Sequence, residues 1–249
     1  MKKTAVITGS ASGIGAATAI ELSRRGFSVL INYSKSKEQA EKVAAKCKDA
    51  IVVQADVGED ADCRRLAKAA LDKWGRIDAL VNNAGTTKFV KHADLEGLTG
   101  DDFQRIFRLN VIAPFQMVRA CAPALKAAKG AVVNVSSVAS LLGTGSSIAY
   151  AASKSALNTV THSLARSLGP EVRVNAVCPG YVDTPWQSNA LGAEGASKAA
   201  QHYAGMVPLK DYARPEDLAE TIAWLIEGAR QVTGETIFVD GGMHITPPR

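Results

Sequence analysis

Short apolar segments alternate with longer segments of mixed polarity along the whole chain. Several short segments are almost continuously apolar, as in Val29–Ile31 and Val132–Val135, instead of alternating between apolar and polar residues. Such continuity is typical of strands that are covered on both faces, as in a parallel sheet. The predicted strands are Ala5–Thr8, Ser28–Tyr33, Ala50–Gln54, Ala79–Asn82, Ala131–Ser136, Val172–Val177 and Thr236–Val239.

The longer segments between these strands predict helices at residues 14–25, 37–47, 59–74, 101–128, 149–168 and 215–228. Regular strand–helix–strand alternation indicates an α/β fold in which a doubly wound, seven-stranded, mostly parallel sheet carries helices on both faces. We expect a single domain over residues 1–249. Residues 183–213, rich in Gly, Ala and Ser, are expected to form an irregular, mobile lid over a site.

Composition and charge argue against several classes of function. The net charge is +5, but the Lys and Arg residues are scattered among acidic residues, which disfavours nucleic-acid binding. The Cys and His residues show no paired metal-ligand spacing, so no metal site is predicted. No apolar stretch reaches the roughly 20 residues that cross a bilayer, so no membrane association is expected. We predict a cytoplasmic protein with reduced cysteines.

A glycine-rich turn follows the first predicted strand. Gly9, Gly13 and Gly15 are spaced as T-G-x-x-x-G-x-G ahead of a predicted helix. Such a turn can bring backbone N–H groups against a pyrophosphate, where the helix dipole also favours negative charge. Gly9 would permit the tight turn, Gly13 the close approach of the ligand, and Gly15 the packing of helix on strand. A plain strand-to-helix turn is the alternative at this point.

Further motifs follow at the ends of later elements. They are Asn82-Asn83-Ala84-Gly85 after the fourth strand, Asn110 in a helix, Ser137 after the fifth strand, Tyr150-Ala151-Ala152-Ser153-Lys154 at a helix start, and Pro179-Gly180 after the sixth strand. Together with the glycine spacing, they resemble the short-chain dehydrogenase/reductase family over residues 4–242. The resemblance includes 3-oxoacyl-[acyl-carrier-protein] reductase-like and glucose-dehydrogenase-like members. It implies a Rossmann-type fold, a nicotinamide cofactor and a homotetramer.

Tyr150 and Lys154 lie one helical turn apart, on the same stripe as Leu157, Leu164 and Leu168. An inward-facing lysine is unusual because burying an ammonium without a partner is costly, although a snorkelling lysine at the helix end is the alternative. An ammonium about 4 Å from a phenol favours the phenolate by about 4 kcal/mol, and desolvation opposes this. We therefore expect Lys154 to lower the pKa of Tyr150.

The resemblance implies a role for each of these side chains. Tyr150 would be the general acid in carbonyl reduction or the base in alcohol oxidation, and Lys154 would also bind the nicotinamide ribose. Ser137 would polarise the carbonyl, with the adjacent Ser136 as a competitor for that role. Asn110 would support a water relay from Lys154 to solvent. A Ser-His-Asp hydrolase is not indicated, because the chain has no nucleophile elbow.

The second predicted strand ends without the acidic residue that usually binds the ribose 2′-OH of NAD. Ser34, Lys35 and Ser36 could instead bind a 2′-phosphate, which favours NADP(H) over NAD(H). A solvated turn is the alternative, and Ser12 stands where many NADP-using relatives carry a basic residue. The expected cofactor contacts are Gly9, Ser12, Gly13, Ile14, Gly15, Tyr33, Ser34, Lys35, Asp56, Val57, Asn83, Ala84, Gly85, Tyr150, Lys154, Pro179, Gly180, Val182 and Thr184.

These observations predict an oxidoreductase that transfers a hydride between NADP(H) and a small-molecule carbonyl or secondary alcohol. An NAD-dependent dehydrogenase of a sugar, polyol or secondary alcohol is the first alternative. A catalytically silent nucleotide-binding regulatory or scaffold protein is the second. Substrate specificity is expected from residues 87–97, 138–147 and 183–213. Apolar residues there would line a pocket or only pack the lid: Leu141, Leu142, Trp186, Tyr203 and Met206.

Overall fold

The computed structural model of the chain describes residues 2–246. Its strands are β1 Thr4–Ile7, β2 Ser28–Tyr33, β3 Ala50–Gln54, β4 Ala79–Asn82, β5 Ala131–Val135, β6 Arg173–Pro179 and β7 Thr236–Val239. They form one sheet in the order β3-β2-β1-β4-β5-β6-β7, and every neighbouring pair is parallel. All seven predicted strands are confirmed, with ends that shift by a residue or two. The direction of winding reverses between β1 and β4.

Helices connect the strands and cover both faces of the sheet. They are α1 Gly13–Arg24, α2 Lys37–Ala44, α3 Asp60–Trp74, α4 Gly100–Phe107, α5 Ala113–Ala128, α6 Ala139–Leu142, α7 Ile148–Leu168, α8 Pro185–Met206 and α9 Pro215–Glu227, with a 3-10 turn at Met243–Ile245. Ile7 packs with α1, α2 and α9 on one face, whereas its neighbour Val6 packs with α3, α5 and α7 on the other. The doubly wound α/β fold is confirmed, and the described sheet is parallel throughout.

The helix predicted over residues 101–128 is not continuous. A π-helical segment, Arg108–Ile112, separates α4 from α5. Pro114 stands in the first turn of α5 and has no N–H to donate to the carbonyl of Asn110, so the regular i→i−4 pattern cannot continue there. Insertions of this kind inside helices are frequent at functional sites. Asn110 lies at the centre of this π-helical segment.

The prediction of an irregular segment over residues 183–213 is wrong. Most of it forms α8, which has a non-helical residue at Gly192 (φ 72°). The Gly and Ser content suggested a loop, but alanine is the strongest helix former and Pro185 suits a first helical position. Two hydrogen bonds fix the second half of α8: Tyr181 Oη donates to the Ala196 carbonyl at 2.8 Å, and Tyr203 Oη donates to the Asp240 carbonyl at 2.6 Å.

None of the helices within residues 2–246 has the combination of length and hydropathy that crossing a membrane requires. Over the same residues, His, Cys, Asp and Glu side chains form no group of three or more that could hold a metal ion.

Candidate active site

The glycine-rich turn lies at the carboxyl end of β1, directly before α1. Gly9 and Gly13 adopt positive φ angles of 60° and 55°, which side chains disfavour. A Cβ on Gly9 would lie 2.9 Å from the Cα of Ala84, and one on Gly15 would lie 2.5 Å from Asn83 Nδ2. The turn is therefore packed tightly against the end of β4. Gly9 and Gly13 line a cleft, and Gly15 lies behind it.

Asn32, at the end of β2, holds this turn in place and was not predicted as a site residue. Its Oδ1 accepts the Gly9 N–H at 3.0 Å, and its Nδ2 donates to the Ala55 carbonyl at 3.1 Å. Asn83 fixes the other side, because its Nδ2 donates to the carbonyls of Thr8 and Gly9 at 2.9 Å. A buried asparagine in an otherwise apolar strand was the available sequence signal for Asn32.

The cleft has a volume of about 350 Å³ and runs along the carboxyl ends of the central strands. This edge, where the winding reverses, is the usual ligand position in doubly wound sheets. Most of the predicted site residues line it: Gly9, Ser12, Gly13, Ile14, Ser34, Asp56, Val57, Asn83, Ala84, Gly85, Ser137, Tyr150, Lys154, Pro179, Gly180, Val182 and Thr184.

Tyr33 and Lys35 do not line the cleft. The Tyr33 side chain is only 8% exposed and packs in the apolar core, because it points to the opposite face of β2 from Asn32. Lys35 lies in an adjoining groove that it shares with Ser34 and Arg65. The Arg65 guanidinium donates to the Gln54 carbonyl at 2.8 Å and to Asp62 at 2.7 Å. These three residues form part of the groove wall.

Tyr150 and Lys154 reach the cleft from the first turns of α7. The helix begins where the Ser147 hydroxyl accepts the Tyr150 N–H at 3.2 Å. Lys154 is 4% exposed, and its Nζ donates to the Val135 carbonyl at 2.7 Å. The same Nζ lies 5.7 Å from the centre of the Tyr150 ring. The lysine is therefore buried with a partner, not snorkelling to solvent.

The two adjacent serines differ in their surroundings. Ser136 is buried, and its hydroxyl donates to the Lys154 carbonyl at 3.2 Å. The Ser137 hydroxyl accepts the Ala139 N–H at 3.1 Å and lies close enough to Tyr150 to stabilise its phenolate. The hydroxyl that faces the phenol is that of Ser137.

Asn110 is fully buried and does not line the cleft. Its Oδ1 accepts the Thr86 N–H at 2.8 Å, and its Nδ2 donates to the Thr86 carbonyl and the Ser153 hydroxyl, both at 2.9 Å. A Cβ on Gly85 would lie 3.3 Å from Asn110 Oδ1 and 3.7 Å from Lys154 Nζ. The π-helical segment thus joins the loop after β4 to α7, directly behind Lys154.

Burial decides the proton affinities of this pair. It raises the pKa of Tyr150 to about 12, against the opposing effect of the Ser137 hydroxyl. It lowers the pKa of Lys154 to about 8. The expectation that Lys154 lowers the pKa of Tyr150 is therefore wrong for this structure. The ammonium bonds to a backbone carbonyl, and desolvation of the phenol is the largest influence on the pKa of Tyr150.

The residues expected to form an apolar substrate pocket separate into two groups. Trp186 lines the cleft, whereas Leu141, Leu142, Tyr203 and Met206 do not. Tyr203 packs α8 against Asp240, and Leu141 is largely exposed.

Comparison with known proteins gives one matching family model and several similar relatives. A family model described as "Enoyl-(Acyl carrier protein) reductase" matches residues 9–244. The chain is 44% identical to the "Granaticin polyketide synthase putative ketoacyl reductase 2" of Streptomyces violaceoruber, over 97% of this chain and 96% of the relative. It is 36% identical to a 3-oxoacyl-[acyl-carrier-protein] reductase of Synechocystis, over 97% and 96% of the two chains.

Solved structures agree. A "putative short-chain dehydrogenase/reductase" from Burkholderia xenovorans superposes with a TM-score of 0.91 at 41% identity, over 98% of each chain. The chain belongs to the short-chain dehydrogenase/reductase family. An aldohexose dehydrogenase of Thermoplasma acidophilum is similar as well, with a TM-score of 0.89 at 27% identity over 100% of this chain and 96% of that one.

Membership of the short-chain dehydrogenase/reductase family confirms the predicted fold and enzyme class. The chain is an oxidoreductase with an NAD(P)-type cofactor and a small-molecule substrate. The sequence motifs were sufficient to predict the family. Several of them follow a strand, and parallel strands bring their carboxyl ends to one edge of the sheet, where the motifs form one site. No motif indicated the role of Asn32 in the turn or the position of Trp186 in the cleft.

Proposed function

We propose that the chain transfers a hydride between NADP(H) and a carbonyl or secondary alcohol, with Tyr150 as the general acid and base. The observation that supports this best is that Ser137, Tyr150 and Lys154 line the same cleft as the glycine-rich turn. The relatives named ketoacyl reductase favour a 3-oxoacyl thioester or related ketone as the first substrate class to test.

The cleft fits a dinucleotide. Gly9 and Gly13 keep the turn close to Ala84 and Thr184, where a Cβ would crowd those residues, and the turn lies at the start of a helix whose dipole favours a pyrophosphate. Ser12 and Ile14 lie beside them, and the remaining contacts follow the motif order along the cleft. Asp56 and Val57 would meet the adenine, Asn83, Ala84 and Gly85 the central portion, Tyr150 and Lys154 the ribose, and Pro179, Gly180, Val182 and Thr184 the nicotinamide.

When bound, the nicotinamide supplies or accepts the hydride. Tyr150 gives its proton to the carbonyl oxygen during reduction, and Ser137 donates a hydrogen bond to the same oxygen. A phenol with a pKa of about 12 holds its proton at neutral pH, so it is in the correct form for reduction. Lys154 would hold the ribose and, with Asn110 behind it, would lie on the proposed path by which Tyr150 regains a proton.

Preference for NADP(H) over NAD(H) is supported by Ser34 in the cleft and Lys35 in the adjoining groove, with no acidic side chain at the end of β2. A fluorescence titration with NADPH and NADH tests it. We expect NADPH to bind at least about tenfold tighter, which corresponds to about 1.4 kcal/mol. Lys35→Glu should remove this advantage. Equal or tighter binding of NADH by the native protein would contradict the preference.

An NAD-dependent dehydrogenase of sugars or related alcohols is the second candidate. The similarity to the aldohexose dehydrogenase of Thermoplasma acidophilum favours it. Parallel assays of 3-oxoacyl thioesters and ketones with NADPH, and of aldoses and polyols with NAD, separate the two. Cofactor binding without turnover of either panel would instead favour a silent nucleotide-binding protein.

A homotetramer is the proposed assembly. Ile112 and Phe115 are exposed apolar residues near the junction with α5. Exposed apolar side chains on helices are typical of subunit interfaces. Sedimentation velocity measures the assembly directly. The cytoplasmic location remains a prediction.

A further inference from the structure

Trp186 lies in the first turn of α8 and faces the proposed catalytic tyrosine. Its ring centre is 6.3 Å from that of Tyr150, and the two ring planes are inclined by 51°. The residue is 38% exposed, and it lines the cleft. An indole is thus open to the cleft beside the group that would bond the substrate oxygen.

The backbone that carries Trp186 is well anchored. Asp183 N–H donates to the Ala213 carbonyl at 3.1 Å, and Val182 forms a parallel bridge with Ala213. Thr184 lies against the glycine turn, since a Cβ on Gly13 would come within 3.3 Å of Thr184 Cγ2. The indole is therefore supported from a fixed base at the helix start.

The other aromatic residues near the lid have a different role. Tyr181 packs against Tyr203 and Tyr212 at ring-centre distances of 6.0 and 5.8 Å. Tyr203 is buried and bonded to the Asp240 carbonyl. These residues hold α8 to the body of the protein, whereas Trp186 packs on the tyrosine at the site. Packing of the lid thus does not account for the position of the indole.

We propose that Trp186 determines substrate specificity by stacking on a planar apolar group attached to the reacting carbonyl, so that aryl or conjugated ketones are preferred. This inference rests on the proposed function, in which Tyr150 and Ser137 bond the carbonyl oxygen. Both rings line the cleft, and a flat substituent fits beside an indole face better than a puckered one. Aromatic faces attract each other beyond the contact area that they bury.

A matched pair of ketones tests the proposal. Methyl phenyl ketone and methyl cyclohexyl ketone have similar size, and only the first is planar. For the native protein, kcat/KM should favour the phenyl ketone. Trp186→Ala should lower the phenyl-to-cyclohexyl ratio about fivefold, which corresponds to about 1 kcal/mol. Trp186→Phe should retain most of the preference. Trp224→Ala, which changes an exposed tryptophan on α9, should leave the ratio unchanged.

Two results would overturn the proposal. The phenyl-to-cyclohexyl ratio could stay unchanged in Trp186→Ala, and a fall in NADPH affinity alongside it would make Trp186 a cofactor contact. Alternatively, turnover of the phenyl ketone could rise, which would make the indole a steric barrier.

A binding measurement separates this inference from the proposed function. The chain has three tryptophans, so Trp74→Phe/Trp224→Phe leaves Trp186 as the only indole fluorophore. Methyl phenyl ketone, added with NADP, should quench its emission more than the cyclohexyl ketone does. Selective quenching without turnover would refute the proposed function and retain the stacking site. Turnover with equal quenching by both ketones would refute the stacking site alone.

Discussion

Lys154 is a buried cation whose cost to folding is offset by little besides one bond to the Val135 carbonyl. The sequence indicated that Tyr150 and Lys154 share a helix face and that an inward lysine is unusual. It could not indicate how completely the two groups lose contact with water, which depends on side chains from distant parts of the chain. For that reason the position of the pair was predictable, and the direction of the Tyr150 pKa was not.

Lys154→Met should raise the free energy of unfolding near pH 7 by about 2 kcal/mol. Burial lowers the pKa of Lys154 from 10.5 to about 8, so the folded chain carries a disfavoured charge below pH 8. Between pH 8 and pH 10.5 the unfolded chain binds more protons than the folded chain, so the stability of the native protein rises with pH. The difference in unfolding free energy between Lys154→Met and the native protein should therefore shrink over this range. Urea unfolding of both proteins at several pH values measures this. A gap that widens with pH would contradict the assignment.

Ser137→Ala should lower kcat/KM for carbonyl reduction about a hundredfold, because the substrate oxygen loses a hydrogen-bond donor. Ser136→Ala is the matched control. It should change kcat/KM less than about threefold and cost about 1 kcal/mol of stability, since its hydroxyl bonds to a helix carbonyl. Steady-state kinetics and thermal unfolding give the two readings. A larger kinetic effect for Ser136→Ala would reverse the roles.

At the level of elements, the strands were predictable because short, continuously apolar runs between polar segments are typical of buried parallel strands. The interruption of the helix predicted over residues 101–128 was missed, although Pro114 was a local signal for a break. The π-helical form of that break at Arg108–Ile112 also involves bonds from Asn110 to Thr86 and Ser153, which the local sequence does not reveal. The composition of α8 was also misleading, because it suggested a loop where the chain forms a helix. Its glycines and serines concealed an alanine-rich helix whose single bend lies at Gly192.

Gly192→Ala should destabilise the protein by about 2 kcal/mol, because the φ of 72° and ψ of 166° at this bend lie in a region that is essentially restricted to glycine. No atom lies within 4 Å of the added Cβ, so the effect isolates the backbone. Gly205→Ala, in the same helix with equally open surroundings and no positive φ, should stabilise by about 0.5–1 kcal/mol. Urea unfolding compares the pair. Equal effects of the two substitutions would mean that α8 has no fixed bend.

At the level of the whole molecule, residues far apart in sequence form one site because all seven strands run parallel. Gly9, Gly85, Ser137 and Gly180 each follow a strand, and the sheet order brings those four strand ends together. The site could therefore be outlined from motifs once the fold class was inferred. Gly15 and Asn110 lie behind the cleft, and two further exceptions, Tyr33 and Lys35, lie where the chain leaves β2. There the side-chain direction depends on strand register and on neighbouring groove residues.

The central claim is that Tyr150 donates the proton in an NADP(H)-dependent carbonyl reduction. Tyr150→Phe tests it most directly, because the substitution removes one hydroxyl and keeps the ring that packs against Trp186. Turnover of the best ketone and NADPH binding are measured on the same preparation. We predict that kcat falls about a thousandfold while the Kd for NADPH changes less than about threefold. Turnover close to that of the native protein would contradict the account.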